Sequence, residues 1–276
     1  MGSVLAVLTA CLYGSGDFLG GIASRRNSAL QVLFASQMLG ALGLFVALPF
    51  FQPLFSWRDI AIGAAAGACG LVGLGLFYRC LAKGPMSVVA SISALTAAIV
   101  PISWDLILGN VPSGKVFLGM GLGLAAIVLV SMRSSEGETK TLISSVAGAL
   151  AAGLGFGMFF SILSYVGSDS APWPIVSGRL TAVLILVVVS TIRSNEMMPK
   201  KSLPIVAGCA ACDTGANLTL LLALGQDSLA PVALLSSLYP VTTIVLARLF
   251  LGEDLYLRRV IGLVVALSSV LLIATA

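Results

Sequence analysis

The sequence predicts an all-α integral membrane protein with ten transmembrane helices, arranged as two inverted five-helix repeats around a central cavity. Three observations carry that expectation. The 276 residues are 58% hydrophobic and 9% charged, with a mean hydropathy of +1.08, whereas a soluble domain is about one-quarter charged. Apolar stretches of roughly 20 residues, the length that crosses a bilayer as a helix, recur along the whole chain. The chain also matches itself at one constant offset of 143 residues.

Taken in order, the first span covers 3–23, and its stretch "LYGSGDFLGG" places Asp17 inside an apolar run. No basic segment precedes it and nine spans follow, so it is read as a retained helix and not a cleaved signal; "LTAC" at Leu8–Cys11 is then a chance likeness to a lipoprotein box. The second span, 29–50, follows "SRRNS" and carries Gln37. Glycine-rich "GAAAGACGLVGLG" in the third span, 59–82, reads as close helix packing, and Arg79 and Lys83, one turn apart, read as snorkelling to a surface. After "KGPM" the fourth span, 86–108, sets Ser93, Thr96, Val100 and Ser103 at helical spacing. Trp104 and Asp105 near its end read as an interfacial anchor. The fifth span is 114–132, with "GMGLG" as a further packing stretch.

A short linker, 134–141, divides a first unit, 1–133, from a second, 142–276. The sixth span, 142–166, puts Phe156 and Phe160 one turn apart, apolar walls of the kind small-molecule pockets use. Arg179 lies in the first half of the seventh, 174–193. Asp213 is near the middle of the eighth, 203–225, with Asn217 one turn on along the same face. The ninth, 229–251, follows "GQDS" and sets Ser236, Tyr239, Thr243 and Leu246 at helical spacing; the tenth is 257–275.

A chain this apolar satisfies its backbone in lipid as a helical bundle, and its segments lack the alternation of a membrane barrel. The connections leave no room for a soluble domain. With no histidine, imidazole ligation and histidine general bases are excluded, and no paired "DxxD" stretch offers a metal–diphosphate site. The glycines around Gly14, Gly16 and Gly20 lack the lysine and preceding strand of a phosphate loop. Five cysteines fall inside spans, "CAAC" at Cys209–Cys212 included, and read as packing groups. No enzyme, cofactor or metal is therefore expected. The net charge of +4 is scattered among helix ends, which argues against a nucleic-acid partner.

At the constant offset, Gly14 meets Gly157, Ala64 meets Ala207, Cys69 meets Cys212, Ser93 meets Ser236, Gly109 meets Gly252 and Gly119 meets Gly262. Single identities mean little between apolar sequences; the unbroken register with coinciding span boundaries is the evidence. Because each copy holds five spans, an odd number, the second copy enters the membrane from the opposite side, an arrangement common in secondary transporters.

Within the spans, Asp17, Asp105, Arg179 and Asp213 are ionisable, and each costs on the order of 3 kcal/mol at mid-bilayer. The sequence-based substrate cavity comprises Tyr13, Asp17, Gln37, Ser93, Thr96, Phe156, Phe160, Arg179, Asp213, Asn217, Ser236 and Tyr239. Arg179 is a counter-ion for either acid, and the serines and threonines are equally suited to bonding across helices. Burial disfavours the charged form of a carboxylate, so an acid in a partly dry cavity can exchange a proton against substrate. Asp213 is the first candidate for proton coupling and Asp17 the second.

An aromatic followed by glycine late in the first helix of each half (Tyr13 and Gly14, Phe156 and Gly157), the corner "LFYRCLAKGPMSVVASISAL", and above all "LAPVALLSSLYPVTTIVLARLFLGEDL", with Tyr239, Pro240, Gly252 and Glu253, are similar to a known pattern. Over almost its full length the chain resembles the EamA-type transporters of the drug/metabolite transporter superfamily. Ala97 stands where that pattern has a proline, and Asn110 where it has the glutamate. The resemblance implies a basket of ten helices with the fifth and tenth as scaffold, and export of amino acids or other small metabolites. The function expected is thus a secondary transporter of an amino-acid-like solute, exporting by alternating access with protons as candidate coupling ions. The alternative is a channel or a non-transporting membrane scaffold. Its partners are a small-molecule substrate, the lipid bilayer and protons, and the protein itself is a monomer or weak homodimer.

Of the fifteen Lys and Arg residues, twelve flank connections after odd-numbered spans, among them Arg25, Arg26, Arg79, Lys83, Lys200 and Lys201. The positive-inside rule then places those connections in the cytoplasm of a bacterial-type plasma (inner) membrane and both termini outside.

Overall fold

A chain with so many glycines and alanines in its apolar runs packs small residues inward and leaves its large side chains to the outside. The computed structural model has this distribution. It describes residues 2–51, 54–107, 109, 113–131, 139–163, 165–166, 170, 172–193, 197–199, 202–224, 226, 236, 238–253 and 257–274. The helices, in chain order, are α1 (Gly2–Arg26), α2 (Ala29–Ala47), α3 (Trp57–Lys83), α4 (Met86–Ile107), α5 (Gly114–Ser131), α6 (Thr139–Leu163), α7 (Trp173–Arg193), α8 (Leu203–Leu224), α9 (Tyr239–Leu251) and α10 (Leu257–Ala274), with a 3-10 turn at Leu48–Phe50. Among the described residues five stretches are long and apolar enough to cross a membrane by length and composition: Gly2–Arg26, Ala29–Phe50, Trp57–Lys83, Ser144–Leu163 and Trp173–Ile192. Most of the sequence-based linker 134–141 and of the first ten residues of the ninth span lies outside the described residues, as do the side chains of Asp105 and Pro101. The described part of the ninth helix begins at Tyr239 with Pro240 in its first turn, where the missing proline N–H has no intrahelical role.

Local chemistry sets the helix ends. Ser28 caps α2 in a reciprocal capping box with Gln31, and Ser56 accepts from the Asp59 amide at the start of α3. At the end of α9 the chain turns through Gly252 with φ 64°, a left-handed conformation that a side chain resists. That turn delivers Glu253 to the N-terminus of α4. Its carboxylate accepts from the amides of Met86 at 2.6 Å and Ser87 at 3.2 Å and from the Ser87 hydroxyl at 3.0 Å, with the Arg25 guanidinium 4.0 Å away. A carboxylate on the orphan amides of a helix N-terminus is a stabilising cap, and this one joins the two halves of the chain. Replacing Glu253 by alanine is expected to remove about 1–2 kcal/mol of stability, read as a lowered Tm in detergent; an unchanged Tm would refute the capping role.

Helix pairing repeats across the two halves. α1 packs on α8 as α3 packs on α6; α4 on α6 as α9 on α1; and α3 on α7 as α8 on α2, while α2–α7 and α5–α10 each pair a helix with its own counterpart. Along α1 and α8 the positions run in opposite senses, Thr9 bonding Thr219 and Tyr13 bonding Asn217 while Gly16 lies against Cys212. The α3–α6 pair also runs antiparallel: Gly84 abuts Ser145, Gly73 abuts Phe156 and Gly70 abuts Phe159. Helices α3 and α7 run parallel, with Gly63 against Pro174 and Gly67 against Gly178. In this contact the two backbones touch, so a Cβ on Gly67 would strike the Gly178 main chain, which has no rotamer by which to yield. Gly67→Ala is therefore expected to destabilise by about 1–3 kcal/mol, whereas Gly121→Ala, whose Cβ would enter open space, leaves thermal unfolding unchanged. Equal Tm values for the two variants would remove the argument.

The main core joins Phe18, Leu33, Phe77, Tyr78, Leu81, Met86, Val89, Leu186 and Val206 from both halves. A second, smaller cluster of Leu95, Ala126 and Ala266 ties α5 and α10 to α4, and Ser269 donates to the Gly119 carbonyl at 2.6 Å across the α5–α10 contact. Val4, Val46, Val72, Leu184, Ile192, Leu249 and Phe250 are turned outward. An apolar exterior around small-residue helix contacts is the distribution a lipid solvent selects.

Candidate solute-binding site

The polar residues of the spans converge where α1 crosses α8, with α2 and α7 behind. Glycine makes the close crossing possible: Gly16 lies against Cys212 and the backbone of Asp213, and Gly14 is pressed against Tyr239 and Thr243 of α9. Thr243 donates to the Gly14 carbonyl at 3.1 Å. With the helices this near, Tyr13 reaches across to donate to Asn217 Oδ1 at 3.0 Å. Asn217 in turn donates to the Asp213 carbonyl at 2.7 Å, and the Tyr13 and Tyr239 rings meet edge to face with centroids 6.4 Å apart.

Arg179 reaches from α7 to pair with the Asp213 carboxylate. Its guanidinium fits because α2 presents Gly40, where any Cβ would collide with it. The pair is lopsided in exposure: the Arg179 side chain is 7% exposed and that of Asp213 35%. Buried arginine thus backs a carboxylate whose other side is open. Thr214, beside Gly40 and Gly43, keeps a buried hydroxyl without a hydrogen-bond partner among the described residues.

Asp17 is half-buried, within electrostatic reach of Asp213, and has no hydrogen bond or ion pair among the described residues. One turn further along α1, Gly20 makes room for the Tyr78 ring, whose hydroxyl lies 3.2 Å from Cys209 Sγ. The site therefore holds two carboxylates, Asp17 and Asp213, and one cation, Arg179, among the described residues. An ionised Asp17 gives it one negative charge in excess. An excess negative charge attracts cations, and tyrosine faces suit an ammonium group.

Of the residues expected from sequence, Tyr13, Asp17, Arg179, Asp213, Asn217 and Tyr239 come together here. Gln37 is half-buried on α2, one turn before Gly40. Phe156 stacks edge to face on Phe77 at 5.5 Å and lies along α3, while Phe160 is 49% exposed against Phe159. Ser93 and Thr96 stand apart from the polar cluster. Both are buried in the α4–α6 contact, where Gly153 touches them, and their hydroxyls donate to Ala90 and Ile92 of their own helix. Ser236 is buried, and its hydroxyl has no partner among the described residues. Trp104 donates from its indole to the Tyr165 hydroxyl at 3.0 Å. Sequence reasoning passed over Gly40, Thr214 and Tyr78. A lone small or aromatic residue in an apolar helix gives no sign of which neighbour it will meet.

Residues equivalent by the repeat show how one frame carries two different surfaces. Tyr13, Asp17, Asp213 and Asn217 occupy the positions of Phe156, Phe160, Gly70 and Leu74, and Arg179 that of Ser36. One crossing is polar and charged, and its counterpart is apolar.

Comparison with known proteins follows the same division of the chain. The family model described as the EamA-like transporter family matches twice, over residues 1–132 and 143–275. No curated protein matches in a sequence search. A solved crystal structure matches with a TM-score of 0.56 at 14% identity, over 98% of this chain and 95% of that one, a likeness that bears on the fold alone.

Proposed function

Because the chain belongs to the EamA-like transporter family it is a membrane transporter of small solutes, and we propose that it is an alternating-access secondary carrier for an amine-bearing, amino-acid-like solute. The single observation that carries the solute class is Asp17: a half-buried carboxylate without a counter-ion among the described residues, beside an acid that already has one. A packing role would not require a charge that costs on the order of 3 kcal/mol in a membrane helix. The Asp213–Arg179 pair then presents one carboxylate edge to the site, and Asp17 meets the ammonium group. With Asp213 already paired, Asp17 moves ahead of it as the group that exchanges a proton against substrate.

The proposed architecture is ten spans in two inverted units. Its support is the parallel running of α1 with α3, where Gly20 meets Tyr78 and Gly21 meets Leu81, beside the antiparallel running of α3 with α6, directions that fit α1 and α6, the first helices of the two halves, pointing opposite ways. Inverted units of this kind rock about a site at their interface. The direction proposed is export across a bacterial-type plasma membrane, with both termini outside by the charge bias. A reporter active only in the cytoplasm, fused after Ala276, would then be silent.

Counterflow in proteoliposomes tests the carrier mechanism. Vesicles loaded with an unlabelled amino-acid mixture are expected to accumulate radiolabelled amino acid transiently. A channel or a scaffold gives no accumulation above equilibrium, and that result would overturn the proposal.

A further inference from the structure

A second polar cavity lies away from the acids, where the C-terminal ends of α1 and α3 meet the start of α2. Its volume is about 400 Å³, and Ser24, Asn27, Ser28, Arg79 and Lys83 line it together with Ala29, Leu30 and Ala82. Four features of this cavity select for an anion. Arg79 and Lys83 are exposed one turn apart on α3, and neither has an ion pair or hydrogen bond among the described residues. The first amides of α2, those of Ala29 and Leu30, have no intrahelical acceptor by the geometry of a helix start. Ser24 is only 7% exposed and its hydroxyl has no hydrogen-bond partner among the described residues. Among the described residues no acid lines the cavity; Glu253, the nearby acid of this face, is occupied with the α4 N-terminus and Arg25.

A buried hydroxyl left unbonded costs about 1–3 kcal/mol, so Ser24 is better satisfied with an acceptor present. Phosphate oxygens supply acceptors for both cations and the first α2 amides, and the Ser24 hydroxyl gains one on turning toward the cavity. The cavity sits at helix ends on the face richest in Lys and Arg, and its apolar wall of Ala29, Leu30 and Ala82 adjoins the phosphate-seeking groups. Basic pockets between membrane helices on the cytoplasmic side hold anionic headgroups in this manner. The geometry points to a binding site for a phosphate group, presented by the headgroup of an anionic membrane lipid. This site is separate from the solute site, and its placement at the cytoplasmic face rests on the orientation proposed above.

The test uses the purified full chain in an uncharged detergent, with Tm and native mass spectrometry as readouts. Short-chain phosphatidylglycerol is expected to raise Tm and remain bound, and phosphatidylcholine to do neither. Arg79→Gln with Lys83→Gln is expected to weaken binding by about fivefold for each cation removed, while Lys115→Gln, exposed on α5, leaves it unchanged. Ser24→Ala retains both cations, keeps the unliganded Tm at or above that of the wild type and still weakens binding, and it decides the matter should the double variant fail to fold. Equal stabilisation by glycerol phosphate or inorganic phosphate would support the phosphate site with a soluble source. Wild-type affinity in the double variant or in Ser24→Ala, or no response of the unaltered protein to any of these phosphates, would overturn the inference.

Discussion

Asp17→Asn is expected to abolish most transport while leaving the protein folded. The substitution keeps the shape of the side chain and removes its charge. Since Asp17 has no hydrogen bond or ion pair among the described residues, no partner is stranded, and stability stays within about 0.5 kcal/mol of the wild type. Loss at the solute is larger. A charge-assisted bond to an ammonium group contributes about 1.5–3 kcal/mol, which corresponds to an affinity lower by roughly 10- to 150-fold. If Asp17 also carries the exchanged proton, the residual transport no longer responds to an imposed pH gradient. Initial rates in proteoliposomes with and without that gradient check both statements. Wild-type rates with an undiminished pH response would eliminate Asp17 from the site.

Arg179→Met has the opposite profile, a large effect on folding. Removing one member of a buried ion pair costs about 3–5 kcal/mol because the remaining charge is left without compensation. The Asp213 side chain is 35% exposed, so water relieves part of this, and a loss of about 2 kcal/mol is expected. Adding Asp213→Asn to Arg179→Met should restore most of that loss, and a double-mutant cycle measured by thermal unfolding isolates the coupling. Arg179→Lys is not conservative here: the guanidinium packs against Gly40 while one of its nitrogens meets Asp213, and a lysine ammonium lacks the planar group that does both. Additive effects in the cycle would show that the pair contributes nothing as a pair.

Much of the helical layout was legible because lipid imposes it. Span length, the five-plus-five division and the offset of 143 residues follow from apolar runs and from self-comparison, and neither requires knowledge of a single contact. Asp17, Asp213 and Arg179 stood out for the same reason, since charge inside an apolar run is rare and readable. Which acid Arg179 pairs with was not readable, because the choice depends on Gly40 leaving room on a helix far away in sequence. Ser93 and Thr96 show the converse. Their helical spacing suggested a lining, yet the same spacing places them against the small residues of α6, and nothing in a serine or threonine distinguishes a groove from a packed seam. The cavity beside Arg79 and Lys83 was similarly hidden, since two cations at a helix end look like ordinary anchors until α2 is seen to start beside them.

In the proposed alternating-access cycle, the Glu253 cap bears on how often each face of the protein is unlatched. Glu253 fastens the end of α9 to the start of α4 through three hydrogen bonds, and the equivalent position in the other half is Asn110, which brings no formal charge to such a clasp. In such a cycle, a fastening at one face stronger than its counterpart makes the empty protein dwell longer in one resting orientation. That asymmetry leaves the final concentration ratio of the solute untouched, since an equilibrium cannot depend on the catalyst, but it sets different half-saturation concentrations on the two sides of the membrane.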